Sequence, residues 1–329
     1  MGRGRPVLFW LGCGLLVTYA AVAAMAPRLA PHDPRLSTGM PLASPSREHL
    51  LGTNDLGQDV LSQVIFGARA SLIVAGSVTV ISTALSWLVG LLAGFSRHAE
   101  VPLMALTDLL LALPNIPFYL LALTLLGPSR SNLILVLALI SWPAFARIVR
   151  SIVLQARLAG YVEASRALGA PGPHIIRRHL LPATLGVLPT KLVLTVRFAV
   201  FAEATLTFLG LGSNDVVSWG MMLNWAFSDP LLFSRPVWPW LVLPPTLALA
   251  VLVLSSVWIG SELAQIPPSR GRSPGERDRH AGGRGGGTAL RRTASRQVTD
   301  ERVLVGVVGS GEGVPTSGRG RGQAGCRGG

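Results

Sequence analysis

The sequence predicts an all-α fold: a polytopic membrane helix bundle of six transmembrane helices, with a helix–Gly–helix loop on its cytoplasmic side. Three observations predict it. Half of the 329 residues are hydrophobic and only 14% are charged, with a mean hydropathy of +0.49; a soluble domain of this length needs more charge to cover its surface. Apolar stretches recur along the chain, most of them near the ~20 residues that a helix needs to cross ~30 Å of hydrocarbon. The alternating ten-residue segments of a transmembrane barrel are absent.

The expected spans run over residues 7–26, 71–95, 103–126, 133–146, 183–211 and 238–259. The first follows Arg3 and Arg5 and ends near Ala21-Val-Ala-Ala24, which resembles a signal peptide. Its apolar run exceeds the 7–15 residues usual for an h-region, so an uncleaved span is expected. The third is broken at Pro114, Asn115 and Pro117, because proline removes a helix hydrogen bond. The fourth is short, with Arg147 and Arg150 expected to snorkel at its cytoplasmic end. Three segments follow from this pattern: residues 1–66 as first span and extracytoplasmic segment, 67–263 as a five-helix core, and 264–329 as a disordered tail. The tail carries 12 arginines against 5 acidic residues among many glycines, prolines and serines, a composition that cannot bury enough apolar surface to order itself.

Basic residues set the orientation. With the N-terminus inside, cytoplasmic segments hold 10 basic residues before the tail and outer segments hold 6, as positive-inside placement requires. Both termini are then cytoplasmic, and so is the loop Tyr161-Val-Glu-Ala-Ser-Arg-Ala-Leu-Gly169 with the following Pro171, Pro173 and His179-Leu-Leu-Pro182. Ala164, Ala167 and Leu168 share one apolar face at helical spacing. Gly169 sits where a left-handed C′ residue ends a helix. Pro171 and Pro173 suit the first turn of a second helix, and Pro182 is expected to stop it.

These residues resemble the EAA loop of ABC-importer permeases: E-A-A, three residues, G, nine residues, I, one residue, L-P. Glu163, Ala164, Gly169, Leu181 and Pro182 fall on that pattern, while Ser165 replaces the second Ala and His179 the Ile. Two further regions look like dipeptide, oligopeptide and nickel permeases. One is His49-Leu-Leu-Gly-Thr-Asn-Asp-Leu-Gly-Gln-Asp-Val-Leu-Ser62 with Gly67-Ala-Arg-Ala-Ser-Leu72. The other is Glu203-Ala-Thr-Leu-Thr-Phe-Leu-Gly-Leu-Gly212 with Ser218-Trp-Gly-Met-Met222.

The resemblance covers roughly residues 5–263 and implies an inner-membrane permease subunit of an ATP-driven importer. Its cargo would be peptides or related small solutes, nickel among them. It also implies partners: ATP-binding cassette subunits, a second homologous permease subunit and an extracytoplasmic solute-binding protein, all within membrane lipid. Glu163, Ala164, Ala167, Gly169, Leu181 and Pro182 are the expected ATPase-coupling residues. A membrane receptor or sensor with a docking loop but no transport is the alternative.

Other chemistry finds no support in the sequence. The only lysine, Lys191, follows Thr190 and lies in no G-x-x-x-x-G-K-[ST] loop, so ATP hydrolysis is expected on a partner and the chain is not expected to be an enzyme. No nucleophile–base constellation stands out, and no cofactor is expected. Cys13 and Cys326 are the only cysteines, and the six histidines show no metal-ligand spacing, so no metal site is expected. The Arg/Gly tail reads as solvated or lying on the membrane surface, with no nucleic-acid partner. Asp108, Asn115 and Glu203 fall within the expected spans, where polar groups usually face a bundle interior or a water-filled cavity. They are candidates for the translocation path; the competing readings place Asp108 at the interface and make Glu203 a hydrogen-bonded lock of the bundle.

Overall fold

The computed structural model describes residues 5–213 and 216–263, all helix and connecting turns apart from two isolated bridges, Ser37–Gln58 and Thr53–Asp59. The expected Arg/Gly tail lies outside the described residues. Helix α1 (Arg5–Leu29) leads into an irregular segment over 30–59, and α2 (Val60–Phe95) follows. Then come α3 (Arg97–Ala112), α4 (Asn115–Leu126), α5 (Arg130–Ser141) and α6 (Pro143–Arg157). The loop region holds α7 (Gly160–Ala167), α8 (Gly172–Ile175), a π turn at Ile176–Leu180, and α9 (Leu181–Thr184). Helices α10 (Leu188–Phe208), α11 (Trp219–Ser228) and α12 (Trp238–Leu263) close the chain.

Five continuous helical stretches are long and apolar enough to cross a membrane: Val7–Leu29, Val60–Phe95, Arg130–Arg157, Gly172–Phe208 and Trp238–Glu262. A sixth is counted if α3 and α4, bent by 94° at their junction, form one broken span. Pro114 causes that break: it is held extended at φ −68° and ψ 114°, and the residue before it is also pushed out of the helical region.

Several expected limits move. Helix α2 begins at Val60, not residue 71, because Asp59 caps it by accepting from the Ser62 N–H at 2.9 Å. The segment boundary expected after residue 66 therefore falls inside α2. The expected short fourth span joins α5 and α6 and continues to Arg157. Its arginines are paired rather than snorkelling: Arg147 meets Asp108 and Arg150 meets Glu100. Lys191, counted among the cytoplasmic charges, is instead fully buried in α10 and donates to the Ser141 carbonyl at 3.0 Å. Pro182 does not stop its helix. The preceding π turn widens the backbone, Pro182 enters the first turn of α9, and helical structure carries on into α10.

Helix α2 is the central post. Gly90 and Gly94 let α6 approach so closely that a Cβ at either would lie 2.6 Å from the Cβ of Val149 or Val153; small residues permit such crossings where lipid supplies no hydrophobic drive between helices. At the α5–α6 joint, Ser86 Oγ donates to the Trp142 carbonyl at 2.9 Å. Irregular backbone at this depth is thus met by protein groups. At the other end of α2, Trp219 packs over Gly67 and donates to the Val64 carbonyl at 2.9 Å.

Candidate functional site

The loop over 160–182 stands at the α2 C-terminal end of the bundle as a compact knob. Helix α7 has Glu163 in its first turn and Arg166 in its last, each matching the sign of the nearby helix end. It closes in a Schellman motif: Gly169 N–H donates to Arg166 O at 2.9 Å and Ala170 N–H to Ser165 O at 3.1 Å. That motif needs a left-handed C′ residue, and Gly169 has φ +81° with open space around its Cβ position. The chain then turns at extended Pro171 into α8, whose Gly172 comes against the Phe95 ring at the end of α2.

Only a few residues hold the knob to the bundle. Val162, Ile175 and Leu180 are buried against Trp87 of α2 and Val149 and Val153 of α6. At its margins, Arg157 at the end of α6 donates to the Gly94 carbonyl of α2 at 2.7 Å, and Trp87 Nε1 of α2 donates to Thr184 Oγ1, just past the loop, at 3.0 Å. The predicted apolar face points the other way. Ala164, Ala167 and Leu168 are exposed, Leu168 by 88%, as are Tyr161 and Glu163. Leu181 is half-buried and Pro182 exposed. An uncovered apolar face beside a carboxylate on a rigidly capped helix suits contact with another protein.

The two departures from the EAA pattern meet. Ser165 Oγ and His179 Nε2 are 3.0 Å apart, so the residues that replace Ala and Ile tie α7 to the π turn. The Tyr161 ring packs on His179 at 5.5 Å between centroids. Sequence spacing gave no hint of this pairing.

The remaining predicted positions separate. Glu203 is buried in α10 and accepts from Ser71 Oγ of α2 at 2.8 Å. Ser218 lines the same small cavity, with Arg130. Three of the quoted segments therefore converge on one carboxylate. Asp108 lies on the exposed side of α3 with its Arg147 partner, and Asn115 is exposed at the start of α4.

A second group was not legible beforehand. Across the bundle from the knob, the segment over 30–59 folds back on the start of α2 and brings His32, His49 and Asp59 together. Burial alone would push the Asp59 carboxyl up. Hydrogen bonds from the Ser62 hydroxyl and N–H and from His49, with the nearby His32 ring, outweigh it and hold Asp59 below the usual carboxylate range.

Residues 61–264 match the family described as the binding-protein-dependent transport system inner membrane component. A protein of Brucella suis biovar 1 named as a peptide permease is 36% identical over 261 residues, covering 78% of this chain and 85% of its own. The dipeptide transport system permease protein DppC of Bacillus subtilis is 37% identical over 216 residues, covering 65% and 68%. A chain of the MetNI methionine ABC transporter, solved in inward-facing conformations, matches 61% of this chain and 96% of its own at 18% identity and a TM-score of 0.46.

Proposed function

The chain belongs to the binding-protein-dependent inner-membrane transport family, and from that membership we propose how it works as the multi-pass permease component of an ABC importer. The cargo is a peptide, in keeping with the names of its relatives. ATP is hydrolysed on separate cassette subunits. These close on the cytoplasmic side and push the knob over 160–182, which swings α2 and α6 and exposes the path alternately to each side. Both termini are cytoplasmic. A solute-binding protein delivers cargo to the opposite end, onto the loops around residues 31–66 and 212–237, and a second homologous permease chain completes the pore. Asp108 and Asn115 face that second chain across the path, while Glu203 serves as a lock between α10 and α2.

The observation that carries this reading is the exposed face of Tyr161, Glu163, Ala164, Ala167 and Leu168 on a knob whose opposite side is anchored to α2 and α6. The partner must prefer one permease state over the other for its closure to do work. The test is reconstitution with two cassette subunits, a second permease chain and a peptide-binding protein in vesicles. The expected result is uptake of labelled di- or oligopeptide that requires ATP. Failure of the cassette subunits to bind this chain, or peptide uptake unaffected by its omission, would overturn it.

A further inference from the structure

We propose that His32, His49 and Asp59 form a binding site for a zinc-class divalent cation at the start of α2. The site is built from three separate turns of the chain. His32 lies just after α1, His49 in the middle of the irregular segment, and Asp59 at the N-cap of α2. One nitrogen from each ring and a carboxylate oxygen lie within 4.8 Å of one another.

The spacing fits a small tetrahedral ion. Bonds of ~2.0–2.1 Å place neighbouring ligand atoms about 3.3 Å apart. His49 Nδ1 is 3.0 Å from Asp59 Oδ1 and His32 Nδ1 is 3.8 Å from Asp59 Oδ2, so each ring faces its own carboxylate oxygen near that separation, and a small side-chain rotation brings both onto one ion. The rings are already side by side, with centroids 4.9 Å apart.

The hydrogen bonding also leaves a gap that an ion fills. Asp59 Oδ2 accepts from the Ser62 N–H and hydroxyl, and Oδ1 faces His49. His32 Nδ1 is shut off from solvent with no hydrogen-bond partner, and a buried polar atom without a partner is uncommon and costs stability. The rest of the His32 ring is not shut in: its side chain is 31% exposed, against 8% for His49 and 1% for Asp59. The ligand atoms therefore face inward, and the exposed part of the His32 ring marks the side from which an ion enters with a water as its fourth ligand.

Two imidazoles and one carboxylate suit zinc and its first-row neighbours, nickel, copper and iron(II) among them. Calcium and magnesium take mainly oxygen ligands and more of them. On binding, both rings ligate as neutral imidazoles through Nδ1; His49 carries its remaining proton on Nε2, and Asp59 stays ionised. The ion staples the exit of α1, the middle of the segment and the N-terminus of α2.

The test needs no transport and no partner, so it stands or falls separately from the importer reading. The full-length chain carries a tag without histidine, and His280→Ala and Cys326→Ser remove competing tail ligands. The protein is stripped with a chelator in detergent and titrated with Zn²⁺ by calorimetry, with Co²⁺ absorption as a second readout. The expected result is one equivalent of Zn²⁺ per chain, bound at least tenfold more weakly by His32→Ala, together with a zinc-dependent rise in melting temperature that the variant lacks. His32 is the residue to change because it is the least buried of the three and the variant keeps the His49–Asp59 bond. Absence of binding, or equal affinity and equal thermal gain in His32→Ala, would refute the site.

Discussion

The two ends of α2 are built on opposite plans. At its N-terminal end, the segment over 30–59 is knitted by buried polar side chains. Gln58 accepts from both Asn54 and Gln63 at 2.8 Å and donates to the Arg35 carbonyl, while Thr53 donates to the Met40 carbonyl at 2.6 Å. Gly57, at φ +73°, lets the turn approach so closely that a Cβ there would lie 2.3 Å from Gly39 O. At the C-terminal end, the knob is held by three buried apolar side chains, with hydrogen bonds only at its margins, and its own apolar face is left uncovered. The lesson is that one end is held by polar groups within the chain, with Leu36, Met40, Leu50 and Leu56 scattered on its surface, whereas the other gathers its exposed apolar residues on one short helix. A buried polar network resists local rearrangement; an open apolar face is what a partner covers.

Four substitutions break or sharpen that contrast. The largest loss of stability is expected from Asp59→Ala. It removes the cap of α2, the bond from the Ser62 N–H, worth about 0.5–2 kcal/mol, and orphans the His49 donor, costing about 1–3 kcal/mol when buried. A destabilisation of about 3 kcal/mol should appear as a lower thermal midpoint in detergent with chelator present; an unchanged midpoint would mean that the network is ornamental. Next is Gly169→Val. The space around the position is open, so the cost is the left-handed backbone, about 1–2 kcal/mol. Vesicles should contain inserted protein whose ATP-dependent uptake is lost, and normal uptake would show that the Schellman cap is dispensable for coupling.

The third change, Leu168→Asp, removes a residue that supports nothing within the chain. Stability should move by no more than about 0.5 kcal/mol, while affinity for a cassette subunit falls about tenfold in a titrated pull-down. Equal recovery would place the partner elsewhere. The smallest effect belongs to Glu163→Ala. An exposed ion pair is worth about 0.2–1 kcal/mol, so association should weaken up to about fivefold at low salt and converge with the unaltered chain as screening rises. A loss independent of salt would make Glu163 a helix former and nothing more.

Much of this fold was legible as runs of apolar residues, and the 94° bend could be read from Pro114 and Pro117. The limits were less legible. Helix α2 starts early because an aspartate caps it, and no hydropathy window registers a cap. Helical structure passes Pro182 because a π turn absorbs it, a local widening that proline frequency does not announce. Within the candidate site, Gly169 was readable because one backbone conformation demands glycine. The outward aim of Leu168 was not, since Ala164, Ala167 and Leu168 would form the same stripe on a buried helix. Pairings such as Ser71 with Glu203, 132 positions apart, and His32 with Asp59 depend on how distant segments return to α2. Periodicity carries no record of that.

The length of α2 has a further consequence. Its 36 residues span about 54 Å at ~1.5 Å per residue, well beyond ~30 Å of hydrocarbon. It therefore reaches past the membrane core and sets the azimuth of whatever is mounted at each end. One residue inserted midway would advance one end by ~1.5 Å and turn it by about 100° relative to the other. Ser71 would then miss Glu203, or Gly90 and Gly94 would swing away from α6. Substitutions along the lipid-facing side of α2 are cheap by comparison, so the helix is tolerant in spelling and strict in count.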